Sequence, residues 1–159
     1  DDGEQCILKM LFSSNYLEAG LGRGEYLTTT VETEGSERSA CTGALTQAWD
    51  VIAIGAASPT GADTNVVLGA ELTTSHASGT LDRKAATTKT WTNGSDATTT
   101  KIVLKKTFTA SGAATVTESG LFNSTTVVGS GMLAHQTFNG VVLASGDSIT
   151  VQWTFTVGD

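Results

Sequence analysis

The segment 149–157, ITVQWTFTV, decides the fold class of this chain. Its large apolar residues alternate with polar ones, and they are Ile149, Val151, Trp153, Phe155 and Val157. A period of two places every second side chain on the same face of a β-strand. Burial of all five would contribute on the order of 8–12 kcal/mol before entropy is counted, at ~1.5–3 kcal/mol for each large side chain. The pattern therefore predicts a strand with one apolar face and one face of threonine and glutamine.

Short apolar runs separated by turn residues precede this segment. They predict strands at 49–54, 84–92, 101–109, 114–117, 132–138 and 141–143. The turn residues Ser145, Gly146 and Asp147 are expected to join the last two strands as a hairpin, with Asp147 bonding its own turn. Many short strands with no helix between them favour antiparallel pairing. The predicted fold class is all-β, an antiparallel β-sandwich or Greek-key barrel.

The N-terminal part has a different pattern. Residues 4–17, EQCILKMLFSSNYL, contain apolar pairs four residues apart, which predict one short amphipathic helix. We expect two regions, an N-terminal arm at 1–43 and a β domain at 44–159. The arm residues expected to contact a partner are Ile7, Leu8, Leu11 and Phe12. An equally supported alternative is that the helix covers the open end of the sheet.

Composition excludes several classes of function. The net charge is −7 and only 16% of residues are charged, so a nucleic-acid partner, which requires a cationic surface, is not expected. No apolar run approaches the ~20 residues that span a bilayer, so no membrane partner is expected, and no signal peptide is predicted. The chain has two cysteines, Cys6 and Cys41, which are too few to form a disulfide framework. Free thiols are favoured over a bridge between them.

The sequence contains no recognised catalytic motif. His76 and His135 have no Ser, Cys or carboxylate at a known catalytic spacing, and His135 is predicted to be a hydrogen-bonded structural histidine. Glu32, Glu34 and Glu37 are interpreted as a solvated acidic loop, because calcium requires several oxygens converging from one loop. We therefore expect no enzyme activity, and no catalytic, cofactor-binding or metal-binding residue is predicted.

The order of motifs from Trp49 onward resembles a known family. The chain contains WDVIAIG, then KTFTASGAATVTESGLFN, then GMLAHQTFNGVVLASGDSITVQWTFTV. This succession resembles small virion structural proteins of tailed bacteriophages and related archaeal viruses, over about two-thirds of the chain. The matching positions are Glu118, Gly120, Leu121, Phe122, Met132, Leu133, Phe138, Gly146, Asp147, Val151 and Trp153. His135 departs from the family pattern, which often has Arg there.

These positions also have a physical interpretation. Gly120 is expected to allow a bend or bulge just after Glu118, where a side chain would be costly. Leu121 and Phe122 are expected in the core. None of these positions requires a substrate.

The resemblance implies a capsid decoration, or cement, protein on the outer head surface. Its partners would be the major capsid protein or other virion subunits, and it would be a homo-oligomer, a trimer. A tail, baseplate or fibre protein of such a virus is the first alternative. A secreted carbohydrate-binding β-sandwich is an alternative of another class, with Trp91 as its stacking platform, because Trp49 and Trp153 are expected in the core.

Overall fold

The structure, a computed structural model, describes residues 7–8, 11–12, 48–57, 66–72, 80–92, 100–128 and 130–158. These contain seven strands, which are β1 (Val51–Gly55), β2 (Lys84–Ala85), β3 (Thr88–Thr92), β4 (Thr100–Thr109), β5 (Ala114–Phe122), β6 (Met132–Leu143) and β7 (Ser148–Val157). They form a four-stranded sheet, β2-β1-β5-β6, and a three-stranded sheet, β3-β4-β7. The all-β prediction is confirmed, and two antiparallel sheets are consistent with the predicted sandwich.

Strand β1 is the buried centre of the four-stranded sheet. All five of its residues, VIAIG, are buried, as expected of a strand covered on both faces. It pairs antiparallel with β2, Val51 opposite Ala85. On its other side it pairs with β5, from Val51 opposite Phe122 to Gly55 opposite Glu118.

Strand β6 pairs with β5 but does not keep one register. Pairing moves from Val116–Val141 to Glu118–Thr137, so two steps along β5 correspond to four along β6. A second shift occurs where the partner of β5 moves from Ala134 to Met132, which leaves Leu133 as one extra residue. Such β-bulges bend a strand and redirect its side chains.

The three-stranded sheet contains the segment that decided the fold class. Its alternation is confirmed, because β7 alternates between exposed and half-buried residues along its length. The apolar residues of β7 are half-buried rather than fully buried, so a single chain does not realise their whole burial energy. On the exposed side, hydroxyl pairs Thr107–Thr150 and Thr109–Ser148 are each 2.8 Å apart, as antiparallel β4 and β7 require.

The predicted hairpin between β6 and β7 is wrong, although its turn is present. Gly146 has φ +92°, and the Ala144 N–H donates to Asp147 Oδ2 at 2.8 Å. However, β6 and β7 belong to different sheets. The turn's backbone pairs instead with the β4–β5 connection: the Ala110 N–H donates to the Asp147 carbonyl at 2.8 Å, and the Gly146 N–H donates to the Ala110 carbonyl at 2.7 Å.

The chain divides into two compact units. One comprises residues 49–87 and 105–152, and the other comprises 1–48, 88–104 and 153–159. In the first, Val51, Ala53, Leu68 and Phe122 form a buried cluster against which Met132 packs. In the second, the rings of Phe12 and Phe155 lie 4.7 Å apart. The predicted division into an arm at 1–43 and a β domain at 44–159 stays a prediction.

Several sequence-based expectations concern residues of which the structure says little or nothing. Ile7, Leu8, Leu11 and Phe12 have helical backbone, and the rest of the predicted helix lies outside the described residues. The residues that lie wholly outside them are Cys6, Cys41, His76, Glu32, Glu34 and Glu37. The side chain of Trp91 is also outside the description.

Candidate functional site

The carboxylate of Glu118 lies at the centre of the four-stranded sheet and is fully buried. Its Oε1 accepts the backbone N–H groups of Ala70 at 2.9 Å and Ala57 at 3.4 Å. Its Oε2 accepts the N–H of Gly69 at 3.1 Å. One side chain of β5 therefore fastens two loop segments, one after β1 and one before β2.

His135 of β6 supplies the fourth contact of this carboxylate. Its Nε2 lies 3.0 Å from Glu118 Oε2, and only 10% of its side chain is exposed. The prediction of a hydrogen-bonded structural histidine is confirmed, and its partner is a carboxylate 17 residues away. Each Glu118 oxygen now has two partners, which fills the roughly four acceptor positions of a carboxylate. The pair is therefore arranged as an anchor between β5 and β6.

Gly55 is part of the same arrangement. A Cβ at this position would lie 2.7 Å from Glu118 Cγ and 2.8 Å from its Cδ. Such distances are shorter than packed carbon atoms tolerate. The apolar run VIAIG therefore ends in glycine because the buried carboxylate occupies the space of a side chain.

A second buried polar network is centred on Arg83, which is 3% exposed. Its Nε and Nη2 donate to the two oxygens of Glu71 at 2.6 and 2.5 Å. Its Nη1 donates to Ser130 Oγ at 2.7 Å and to the Ser124 carbonyl at 3.3 Å. The guanidinium carbon lies 3.8 Å from the ring centroid of Phe122. A two-pronged ion pair stacked on an aromatic ring is a geometry that arginine provides and lysine does not.

The Arg83 network fixes the base of the β5–β6 connection. In this connection the Gly131 N–H donates to Asn123 Oδ1 at 2.9 Å, and Ser130 Oγ donates to the Val127 carbonyl at 3.1 Å. Val128 at its tip is 88% exposed. The connection is thus held by polar bonds and presents an apolar tip.

Strand β6 carries four of the nine large hydrophobic side chains that are exposed among the described residues. We name these four residues the β6 strip; they are Leu133 (40% exposed), Phe138 (37%), Val141 (39%) and Val142 (76%). Among the described strands β6 is an edge of its sheet. Val141 and Val142 pair regularly with Val116 and Thr115, so their side chains lie on opposite faces of the sheet.

The predicted arm residues are divided between buried and exposed positions. Leu8 and Phe12 are buried, Leu11 is half-buried and Ile7 is 52% exposed. Lys89 Nζ also donates to the Phe12 carbonyl at 3.3 Å. Burial of Leu8 and Phe12 within the chain fits the alternative in which the helix covers apolar residues of its own chain. Partner contact through the four arm residues stays a prediction.

The positions that carried the family resemblance are structural where the structure describes them. Leu121 and Phe122 are fully buried, as predicted. A Cβ on Gly120 would lie 2.8 Å from the Phe122 ring, so the predicted cost of a side chain there is confirmed. The predicted bulge is not at Gly120, which pairs regularly with Ala53 and His135 while the shifts lie on either side. Close packing by Phe122, rather than a bend, explains the glycine.

The tryptophans expected in the core are only half-buried. Trp49 and Trp153 both have intermediate exposure. A Cβ on Gly131 would lie 2.8 Å from the Trp49 ring, so the β5–β6 connection lies against that ring. The rings of Trp153 and Phe155 are stacked, with centroids 6.2 Å apart. Trp49 is half-buried because it lies just before β1, and Trp153 is half-buried because it lies on β7, an edge strand of its sheet.

Sequence reasoning missed both buried polar networks. The sequence pattern identifies Glu118 only as a motif position without a role, and it does not single out Arg83. The one local signal is a charged residue inside an otherwise uncharged strand, ATVTESGLF, next to buried Leu121 and Phe122. A lone carboxylate so placed requires hydrogen-bond donors.

Two further properties concern only the part of the chain that the structure describes. No group of three or more His, Cys, Asp or Glu residues there is arranged to hold a metal ion. No helix within the same ranges has the length and apolar character needed to cross a bilayer.

Comparisons of the chain with models of protein families, with curated proteins and with solved structures gave no match.

Proposed function

We propose that this chain is a viral capsid decoration protein. It binds the outer surface of the head as a trimer and stabilises the shell through contacts with the major capsid protein or other virion subunits. The observation that carries the proposal is the β6 strip, four exposed apolar side chains on an edge strand that contains no Asp, Glu, Lys or Arg. The resemblance of the motif order to small virion structural proteins supports the viral setting.

The buried polar groups support a role in assembly more than in chemistry. Both oxygens of Glu118 are occupied by four donors, and Arg83 is occupied by Glu71, Ser124 and Ser130. These bonds hold the loops and β6 in one arrangement before any partner arrives. A preorganised surface loses little conformational entropy on binding.

The strip alone provides a modest binding energy for each copy. Covering the exposed fractions of its four side chains is worth about 3–6 kcal/mol gross, at ~1.5–3 kcal/mol for complete burial of one. A protein that binds a shell in many copies adds this contribution at every site and stabilises the assembled state over the dissociated one. Weak contacts repeated over the shell are therefore sufficient for a cement.

Heat resistance of virus particles tests this proposal. Particles of the encoding virus that lack the protein are mixed with purified chain, and the temperature of genome release is measured. We expect the wild-type chain to raise this temperature, and Val142→Lys to raise it less because a charge enters the strip. Thr150→Lys adds the same charge to an exposed threonine of β7 and should act like the wild type.

The proposal fails if the wild-type chain leaves the release temperature unchanged. Copy number separates the head from the tail: a decoration protein is present in hundreds of copies per particle, whereas tens or fewer would indicate the tail, baseplate or fibre. For the carbohydrate alternative, Trp91→Ala must weaken glycan binding. Unchanged binding removes that alternative.

A further inference from the structure

We infer that Asn139 is a site of spontaneous covalent modification, at which the folded chain converts this asparagine to aspartate or isoaspartate. The inference does not depend on the proposed function. It rests on the sequence Asn139-Gly140, on the place of this pair within β6, and on the exposure of both residues to solvent.

The reaction requires only the chain and water. The backbone nitrogen of Gly140 attacks Cγ of the Asn139 side chain, and the new carbon–nitrogen bond closes a succinimide ring. The bond between Cγ and the side-chain nitrogen breaks, and ammonia leaves with the proton of the Gly140 N–H. Water then opens the ring at one of its two carbonyls. One opening gives aspartate, and the other gives isoaspartate, in which the backbone continues through the side-chain carbon.

The residue after the asparagine is the one that hinders ring closure least. Gly140 has no side chain to shield its nitrogen, and its backbone has more conformational freedom than that of any other residue type. Asparagine is one of the thermolabile residues of proteins. The pair Asn139-Gly140 therefore combines a labile side chain with an accessible nitrogen.

The register of β6 is the second observation. Along β6, the residues paired with β5 pass from Thr137 to Val141. The three residues between them, 138–140, therefore lie opposite a single residue of β5, Thr117. A regular ladder holds each residue in extended geometry, and a bulge interrupts that restraint. Ring closure at Asn139 thus requires no break in a regularly paired part of the strand.

Exposure is the third observation. Asn139 and Gly140 are both exposed, so water reaches the ring and ammonia leaves freely. Asn123 provides the contrast within the same chain: it is half-buried, its Oδ1 accepts the Gly131 N–H at 2.9 Å, and serine follows it. The structure therefore contains one accessible asparagine and one that is held by a hydrogen bond.

Conversion would change the charge of β6. The strand contains no Asp, Glu, Lys or Arg, and the product places a carboxylate beside Phe138. One added carboxylate takes the net charge of the chain from −7 to −8. Isoaspartate also lengthens the backbone of this edge strand by one carbon.

Incubation of the folded full-length chain in water enriched in oxygen-18 tests the inference. Ring opening inserts one heavy oxygen, so mass spectrometry of peptides identifies each asparagine that is converted during the incubation, and it distinguishes Asn139 from Asn93, which also precedes glycine. We expect Asn139 to acquire the label roughly tenfold faster than Asn123, whose amide must first give up its hydrogen bond. Methylation by an isoaspartyl methyltransferase detects the isoaspartate independently.

Two variants serve as controls. Asn139→Gln keeps an uncharged amide but would have to close a larger ring, so residue 139 should remain unlabelled. Gly140→Ala should slow the labelling of Asn139, because its Cβ lies beside the attacking nitrogen; this Cβ would also lie 3.1 Å from Thr115 Cγ2. Circular dichroism checks that both variants keep their strands.

A folded wild-type chain whose Asn139 stays unlabelled overturns the inference, and so does labelling of Asn139 no faster than that of Asn123. Incubation in urea supplies the unfolded reference. Label that appears at Asn139 only in urea would show that the folded strand protects this residue, and the inference would be wrong.

Discussion

Replacing Glu118 by glutamine should be strongly destabilising although the two side chains have almost the same shape. The carboxylate is fully buried and accepts from three backbone N–H groups and His135. A glutamine amide has one acceptor oxygen and one NH₂ donor. Its NH₂ must face either Ala57 and Ala70 or Gly69 and His135, so at least one backbone donor meets another donor.

The magnitude follows from this geometry. The less costly orientation turns the NH₂ toward Gly69 and His135, because the imidazole is able to accept through its other tautomer. The Gly69 N–H is then buried without an acceptor, which costs about 1–3 kcal/mol, and a hydrogen bond to a charged group worth ~1.5–3 kcal/mol is lost. We expect Glu118→Gln to lower the free energy of unfolding by roughly 3–5 kcal/mol, a large part of a typical domain's stability.

Urea unfolding followed by circular dichroism measures this loss. The matched control is Asp147→Asn, which also removes one negative charge but lies in an exposed turn and accepts one hydrogen bond, from Ala144 at 2.8 Å. It should cost less than about 1 kcal/mol. If Glu118→Gln costs no more than Asp147→Asn, the carboxylate is not the anchor described above.

Three other substitutions have outcomes that the structure determines. Gly55→Ala places a methyl group 2.7 Å from Glu118 Cγ and should cost about 2–4 kcal/mol in urea unfolding, since overpacking a core is destabilising; a neutral effect would mean that the carboxylate moves freely. Arg83→Lys loses the two-pronged bond to Glu71 and the stacking on a ring, and thermal unfolding should show a loss of about 2–3 kcal/mol, whereas an unchanged midpoint would contradict the network. Thr107→Val removes one exposed hydroxyl pair and should change stability by no more than about 0.5 kcal/mol; a larger loss would show that the hydroxyl contact between β4 and β7 is structural.

Elements whose signal is local could be predicted from the sequence. The alternation of ITVQWTFTV identified β7, and the run WDVIAI identified β1, because a strand's periodicity is contained in the strand itself. The signal that predicted the turn at 145–147 was also local, because it depends on the glycine at one position. Its left-handed φ is a property of one residue.

The partition of strands between sheets could not be predicted in this way. Adjacent strands joined by a tight turn commonly form a hairpin, and β6 and β7 were predicted to do so. The outcome depends on the backbone of Ala110, which bonds to Gly146 and Asp147 from the β4–β5 connection. No pattern within either segment contains that information.

The buried networks are non-local for the same reason. The backbone donors of Glu118 lie 48 to 61 residues away in the chain. Arg83 bonds to groups on both sides of it, 12 to 47 residues distant. A single sequence shows such partners only as isolated charges in uncharged surroundings. It identifies an unusual residue without identifying what satisfies it.

The corner at which Ala110 meets Gly146 and Asp147 has a consequence for the kinetics of folding. The β4–β5 and β6–β7 connections at this corner each leave one sheet and enter the other. Neither β4 with β5 nor β6 with β7 can therefore close early as an isolated hairpin. β1 pairs with β5, whose Phe122 lies 71 positions beyond Val51 (122 minus 51). Chains dominated by such distant pairings close large loops first and fold in milliseconds to seconds. A newly made copy therefore spends that interval with β1 not yet paired with β5, before the four-stranded sheet is complete.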